Sequence, residues 1–152
     1  MLKRLVIMRH GSAAMIALND ALRPLTEAGE LEAHRASRVF PFEPKVIYHS
    51  ALVRAEQTAR ILASYYPKAI LLSAEWLVPE ASPHDVLGQL RDSEEDIVLV
   101  SHQPLVSGLA ALLLQGSTRY AHDVPFLRPA NFMHLHAEVL EAGCGVLINT
   151  HL

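Results

Sequence analysis

The sequence has a single cysteine, Cys144, among 152 residues. One thiol cannot form a disulfide within the chain, and no cysteine pair is present to build a structural zinc site. Cys144 stands between two glycines in an expected turn, where nothing indicates a reactive role. The scarcity of cysteine excludes a disulfide-stabilised secreted domain and fits a cytoplasmic protein.

Long hydrophobic runs are also missing. The apolar run 5–8 is too short for the core of a signal peptide and stops at Arg9. The stretch 105–114 is interrupted by Ser107 and Gly108, and it is well short of the roughly 20 residues that span a bilayer. We therefore expect a soluble protein that does not act at a membrane.

No run of like charges occurs either. The formal net charge is -3, and the 19% of residues that are charged are mixed in sign along the chain. This distribution does not favour a nucleic-acid groove or an anionic membrane surface as the main partner. The expected partner is a small molecule or another protein.

Apolar residues make up 51% of the sequence, enough for a sizeable core in one domain that spans 1–152. Short buried-strand patterns alternate with helical ones. We predict strands at 5–8, 46–50, 69–72 and 96–102, and two further strands, 132–140 and 146–150, that form an antiparallel hairpin. The predicted helices run from Thr26 to about Phe40, from Ala51 to Tyr66, where Pro67 stops the helix, from Ser82 to about Asp92, and from Leu105 to Gln115. The order predicts an α/β fold with three α/β/α layers and a mostly parallel central sheet.

Residue types that are typical of helix ends support these boundaries. Thr26 is a suitable N-cap, and Ser82 with Asp85 has the spacing of a capping box. Gly116 is placed to end the fourth helix.

Polar residues follow the ends of several predicted strands. His10 follows the first strand, Ser50 and Arg54 the second, Glu80 the third, and His102 the fourth. Ligands bind beyond the carboxyl ends of parallel strands, so these side chains are candidates for one site.

The candidate site is rich in arginine, which binds phosphate oxygens with two N–H groups and stays charged. Arg9, Arg23 and Arg54 would form such a clamp, and helix N-termini near Arg54 and Pro104 could add backbone donors. The residues therefore indicate a phosphate monoester or a phosphoramidate as the ligand.

Hydrolysis of that ligand needs a nucleophile, and a neutral imidazole can attack phosphorus to form a phosphohistidine. We assign this role to His10, with its other ring nitrogen held by a carbonyl near Gly11 or Ser12. His102 would act as a charged donor to the phosphate oxygens. The arginines neutralise the phosphate, so we expect neither a metal nor a cofactor.

These segments together resemble the histidine phosphatase superfamily, whose fold is phosphoglycerate mutase-like. The resemblance rests on Arg9-His10-Gly11, on Arg23-Pro24-Leu25-Thr26, on Ser50 with the segment from Arg54 to Ala59, on Glu80 and on Ser101-His102. The small size, the Arg-Ala-Glu-Gln-Thr segment and the Ser-His-Gln-Pro-Leu-Val segment are most similar to its SixA-type phosphohistidine phosphatases.

The resemblance implies that His10 is the nucleophile and that Arg9, Arg54 and His102 form the phosphate pocket, with Arg23 as a further anion contact. It makes Glu80 a candidate proton donor, although an exposed loop glutamate is equally often only solvated. Larger members of the superfamily carry insertions over the pocket that this chain has no room for, and an open pocket suits a protein-borne phosphate.

Several residues keep a second interpretation. Arg23 could instead brace the following helix through a salt bridge. His134 and His136 share one strand face, but without a third ligand a surface pair is favoured over a metal site. The loop 117–129 is either a docking surface or an ordinary loop.

The sequence leaves three functions open. The first is a metal-independent phosphatase that acts on phosphohistidine of a signalling protein. The second applies the same chemistry to a small phosphoester, and the third is a non-catalytic module that binds phosphoproteins.

Overall fold

The computed structural model describes residues 2–152, in which a six-stranded sheet is flanked by four α-helices. The strands are β1 (Lys3–Arg9), β2 (Val46–His49), β3 (Ile70–Ser73), β4 (Ile97–Ser101), β5 (Phe132–Ala137) and β6 (Val146–His151). The helices are α1 (Glu27–Arg38), α2 (Val53–Tyr65), α3 (Pro83–Leu90) and α4 (Leu105–Gln115). None of the helices in this part of the chain has both the length and the apolarity to cross a bilayer.

The strand order is β3-β2-β4-β1-β5-β6. The four strands β3, β2, β4 and β1 are parallel, and β5 and β6 extend the sheet as an antiparallel hairpin. Parallel neighbours need helical crossovers, which explains why helices alternate with the first strands along the chain. The predicted α/β fold with a mostly parallel sheet and a C-terminal hairpin is confirmed.

Strand β1 is buried on both faces. Leu5 and Ile7 pack in the core that includes α3 and α4, whereas Val6 and Met8 pack in the core that includes α1 and α2. Successive side chains of a strand point to opposite faces, so four consecutive apolar residues are what a sheet between two helical layers requires.

Several local predictions need correction. Ser82 is the N-cap residue of α3, but its side chain makes no capping hydrogen bond, so the capping box is wrong. The loop 117–129 contains a stretch of 3-10 helix, Thr118–Asp123. The predicted surface pair in β5 is wrong for His134, which is buried with its ring 5.3 Å from that of Phe42.

The connection between β1 and α1 is closed at its base. The N–H of Ala14 donates to the carbonyl of Pro24 at 2.8 Å, and the N–H of Thr26 donates to that of Ser12 at 2.9 Å. Helix α1 begins directly after this closure, where Thr26 Oγ1 accepts from the N–H of Gly29 as the predicted N-cap. The residues between, 15–22, form a projecting segment that we call the tip segment.

Candidate active site

The two histidines that follow β1 and β4 meet because these strands are neighbours in the sheet. Arg9 pairs with Ser101 in the parallel register, and the N–H of His10 donates to the carbonyl of Ser101 at 3.0 Å. The residue that follows each of these strands is a histidine, and the ring centroids of His10 and His102 lie 5.0 Å apart. Sheet topology thus brings together two side chains that are 92 positions apart in the sequence.

The His10 ring has a fixed tautomer. Its Nδ1 lies 2.6 Å from the carbonyl oxygen of Gly11, which can only accept, so Nδ1 carries the proton. The carbonyl contact expected from the sequence is therefore present. Nε2 is left with a lone pair, which is the form that can attack phosphorus.

The environment of His10 keeps the imidazole neutral. Burial is the main cause that lowers its pKa to about 4, and the charges of Arg54, Arg9 and Arg23 lower it further, while the Gly11 carbonyl acts in the opposite direction. The ring is thus deprotonated at Nε2 throughout the neutral range.

His102 contacts Ser50, the residue that follows β2. The hydroxyl oxygen of Ser50 lies 2.5 Å from Nε2, while Nδ1 is buried and has no hydrogen-bond partner within residues 2–152. Burial, followed by His10 and Arg54, lowers the pKa of His102 to about 3. With this pKa His102 is neutral at neutral pH, in contrast to the charged donor expected from the sequence, and the neutral ring can still donate from one nitrogen.

Arg9 and Arg54 supply the cations expected from the sequence. Nη1 of Arg9 donates to the carbonyl of Leu127 at 3.2 Å. Arg54 lies in the first turn of α2, only 5% exposed, and both of its terminal nitrogens donate to Asp20. The Nε atoms of both arginines are buried without a partner in the described chain.

Arg23 lies at the edge of the same cluster. Its Nε donates to the carbonyl of Ala14 at 2.6 Å and its Nη1 donates to Asp20 Oδ1 at 3.0 Å. The alternative of a salt bridge to the following helix is wrong, because its acidic partner precedes it in the chain. Its charge acts on the pKa of His10, which places it within electrostatic reach of the nucleophile.

Glu80 is not connected to this cluster. It lies exposed in a turn after the short 3-10 helix Glu75–Leu77, and its carboxylate makes no hydrogen bond or ion pair in residues 2–152. The structure thus brings together His10, His102 and the three arginines, but gives Glu80 no contact with them.

Other polar residues of the site were not predicted. Asp20 binds both Arg23 and Arg54, and its only sequence signal is the i,i+3 spacing to Arg23. Thr58 accepts from the N–H of Gly11 at 3.0 Å, and Glu32 accepts from both the N–H and the hydroxyl of Ser12. These contacts fix the loop that follows His10 against α1 and α2.

The donor set suits an anion rather than a cation. Guanidinium groups and imidazole N–H groups are hydrogen-bond donors, whereas metal ions need deprotonated acceptors. No cluster of three or more potential metal-ligating side chains occurs in the described residues. The site can bind an oxyanion against a neutral imidazole.

Comparisons with known proteins agree with this chemistry. Residues 5–76 match the model of the histidine phosphatase superfamily (branch 1). The 5''-phosphoribostamycin phosphatase of Niallia circulans is 30% identical over 97% of this chain and 72% of its own length. The phosphohistidine phosphatase SixA of Escherichia coli (strain K12) is 31% identical over 74% of each chain.

Solved structures show the same fold. The structure of the protein histidine phosphatase SixA complexed with tungstate superimposes with a TM-score of 0.83 and 26% identity. The match covers 97% of this chain and 95% of that one. The described chain therefore has the fold of that phosphatase over almost its full length.

Proposed function

The chain belongs to the histidine phosphatase superfamily and is a phosphatase, and we propose that it hydrolyses phosphohistidine on a signalling protein through a phosphohistidine formed on His10. The non-catalytic module is set aside because the chain is an enzyme. The substrate and the role of each residue are what we propose here.

One observation carries the proposed roles. Arg9 Nε, Arg54 Nε and His102 Nδ1 are buried nitrogens without a partner in the described residues. Each unsatisfied buried donor costs about 1–3 kcal/mol, more when the group is charged. A phosphate offers several acceptor oxygens and a negative charge, so its binding would satisfy these groups together. The nucleophilic Nε2 of His10 belongs to the same cluster.

The proposed reaction has two steps. Nε2 of His10 attacks phosphorus, a P–N bond to His10 forms, and the bond to the leaving group breaks as that group takes its electron pair and a proton from water or from Glu80, the candidate donor. Water then attacks the phosphohistidine, releasing phosphate and restoring His10. The arginines and His102 donate to the phosphate oxygens, where charge is spread in the transition state, so the mechanism uses no metal ion.

The tip segment favours a protein as the carrier of the phosphate. Met15, Ile16 and Leu18 are 84%, 90% and 92% exposed. The tip also bears Asp20, which together with Met15 and Arg23 lines a cavity of about 240 Å³. Exposed apolar side chains grouped beside a reactive centre are typical of protein-binding surfaces.

A small phosphoester is the second candidate substrate. The observation that favours it is the relative named 5''-phosphoribostamycin phosphatase, which matches 97% of this chain. The chemistry at His10 would be the same, and only the leaving group would differ.

Covalent trapping tests the role of His10. The wild type is mixed with a donor bearing radiolabelled phosphate and quenched in alkaline detergent, because phosphohistidine is labile in acid. We expect label on the wild type and on His84→Ala, which removes an exposed histidine of α3, but not on His10→Ala. Label that persists on His10→Ala would contradict the assignment of the nucleophile.

A comparison of substrates tests whether the phosphate is carried by a protein or by a small molecule. We expect kcat/KM for a histidine-phosphorylated phosphotransfer domain to exceed that for p-nitrophenyl phosphate and for a phosphorylated aminoglycoside. Replacing Met15, Ile16 and Leu18 together by serine should lower kcat/KM for the protein substrate about tenfold and leave the aryl phosphate unaffected. Higher kcat/KM for the aminoglycoside would favour the second candidate.

A further inference from the structure

Asp20 bridges two arginines of the candidate site. Its Oδ2 accepts from Nη2 of Arg54 at 3.2 Å, its backbone carbonyl accepts from Nη1 of Arg54 at 2.8 Å, and its Oδ1 accepts from Nη1 of Arg23 at 3.0 Å. The residue begins the short 3-10 helix Asp20–Leu22 on the tip segment, and its side chain is 63% exposed. It thus lies on the solvent side of a guanidinium that is itself buried.

The contacts with Asp20 use one particular edge of Arg54. A guanidinium has five N–H groups, and an anion can bind it through the two terminal nitrogens or through Nε and the adjacent terminal nitrogen. Asp20 accepts one hydrogen bond from each terminal nitrogen, so it occupies the end of the guanidinium group. The Nε atom, on the side of the guanidinium group, remains buried and without a partner in residues 2–152.

We propose that Asp20 is a positioning residue for the phosphatase reaction: it holds Arg54 by the end of its guanidinium, so that the side bearing Nε is presented to the substrate phosphate. This assignment rests on the proposed function, because it assumes that the phosphate binds at Arg54 beside His10. Asp20 itself acts through Arg54 and has no contact with the reacting atoms.

Charge supports the same assignment. Arg9, Arg23 and Arg54 all act on the pKa of His10, so three cations converge on one ring. Among the ion pairs of residues 2–152, Asp20 is the only carboxylate that pairs with any of the three. Hydrogen bonds from Arg23 and then Arg54 lower the pKa of Asp20, so the carboxylate stays ionised at neutral pH. It offsets the repulsion that would otherwise push the arginine side chains apart.

The competing explanation is that Asp20 occupies Arg54 as a resident anion that the substrate must displace. The two explanations predict opposite changes in oxyanion affinity when the carboxylate is removed. A positioning carboxylate strengthens oxyanion binding, whereas a competing carboxylate weakens it.

The test measures tungstate binding by calorimetry and the kinetics of p-nitrophenyl phosphate hydrolysis for Asp20→Asn. We expect tungstate affinity to fall about tenfold and KM to rise by a similar factor, because a charge-assisted contact to Arg54 is lost. Asp92→Asn is the matched control, since Asp92 is exposed and forms no ion pair in the described chain, and it should bind tungstate as the wild type does.

A double-mutant cycle shows whether the effect passes through Arg54. In an Arg54→Ala background, Asp20→Asn should lower tungstate affinity much less than it does in the wild type, because only the contact with Arg23 remains to be lost. Tighter binding by Asp20→Asn, unchanged binding, or an undiminished loss in the Arg54→Ala background would each overturn the proposal. Asp20→Ser supplies the same comparison if the asparagine variant does not fold.

The measurement separates this proposal from the proposed function. Tungstate binding does not depend on which phosphorylated compound is the natural substrate. A chain that fails to hydrolyse phosphohistidine proteins can still show the coupling between Asp20 and Arg54.

Discussion

Ser50 Oγ lies 2.5 Å from Nε2 of His102, and it also accepts a hydrogen bond from the N–H of Leu52 at 3.4 Å. We expect the hydroxyl, whose oxygen already accepts from Leu52, to donate its hydrogen to Nε2. His102 then carries its own ring proton on Nδ1, the buried atom without a partner in residues 2–152. Ser50 thereby makes a neutral His102 a donor to an anion.

Removing the Ser50 hydroxyl should change which ring nitrogen of His102 carries the proton. We expect Ser50→Ala to lower kcat/KM for p-nitrophenyl phosphate about 10- to 100-fold, the usual effect of losing a residue that orients an active-site histidine. Nitrogen NMR of His102 should show a mixture of tautomers in the variant. Ser73→Ala, at the exposed end of β3, is the control. A single Nδ1–H tautomer in Ser50→Ala, with unchanged kinetics, would contradict the role of Ser50.

The role of Glu80 depends on the leaving group. If Glu80 donates the proton, Glu80→Gln should slow hydrolysis of an alkyl phosphate about 100-fold, because an alkoxide is a poor leaving group. We expect turnover of a phosphohistidine protein to be nearly unchanged, since imidazole is protonated readily. Undiminished rates on both substrates remove Glu80 from the mechanism.

The two buried histidines should make stability depend on pH. Their folded-state pKa values, about 4 for His10 and about 3 for His102, lie below the 6.5 of an unperturbed histidine. Between pH 6.5 and 4 the unfolded chain therefore binds more protons than the native protein, and the free energy of unfolding falls as pH falls. The full slope is about 1.4 kcal/mol per pH unit for each histidine.

Urea unfolding at pH 7.0 and pH 5.0 measures this dependence. His102→Gln should reduce the difference in unfolding free energy between the two pH values, because one of the titrating groups is gone. His84→Gln, at an exposed position, should keep the difference of the wild type. An equal pH dependence in His102→Gln and the wild type would falsify the buried, neutral state of His102.

Sequence patterns predicted which side chains lie together where strand ends bring them together. His10 and His102 each follow an apolar strand, and the parallel order of β1 and β4 brings such ends together. Asp20 could not be predicted, because it lies in a connection without periodicity and its partner Arg54 is 34 positions away. Local spacing carries no information on such a contact.

Burial was harder to predict than strand position. The alternating pattern placed His134 correctly on a strand, but no local pattern indicated that Phe42 would pack against its ring. The neutral state of His102 was also missed, because its pKa depends first on how deeply the fold buries it. Both misses concern contacts between elements that are distant in sequence.

Helix α1 approaches the loop that follows His10 so closely that a methyl group does not fit. A Cβ on Gly29 would overlap the carbonyl oxygen of Ser12, and one on Gly11 would lie 2.6 Å from the carbonyl oxygen of Gly29. We expect Gly29→Ala to lower the free energy of unfolding by about 3 kcal/mol and to reduce activity, since backbone must shift beside His10.

Gly88→Ala is the matched control for that variant. Gly88 lies within α3 and a Cβ there would meet nothing within 4 Å, so alanine should stabilise the protein by about 0.5–1 kcal/mol. Thermal unfolding and aryl phosphate kinetics of both variants check the prediction. Equal stability of Gly29→Ala and the wild type would contradict the tight backbone contact.

Treatment with a chelator tests the proposal that arginine side chains neutralise the phosphate without a metal ion. We expect EDTA followed by desalting to leave kcat/KM unchanged, because in the proposed mechanism Arg9, Arg23 and Arg54 supply the positive charge at the phosphate. Loss of activity that zinc or magnesium restores would show that a metal ion takes part.

The closed base of the connection between β1 and α1 separates the tip segment from the loop that holds His10. Because backbone hydrogen bonds join Ala14 to Pro24 and Ser12 to Thr26, most of the tip segment can change in length or composition without moving His10. If the proposed function holds, we expect substitutions in the tip segment to alter which leaving group fits and to leave the chemistry at His10 intact. The tip segment is therefore the part of this chain where we expect substitutions to change substrate preference, provided that an aspartate remains to hold Arg54.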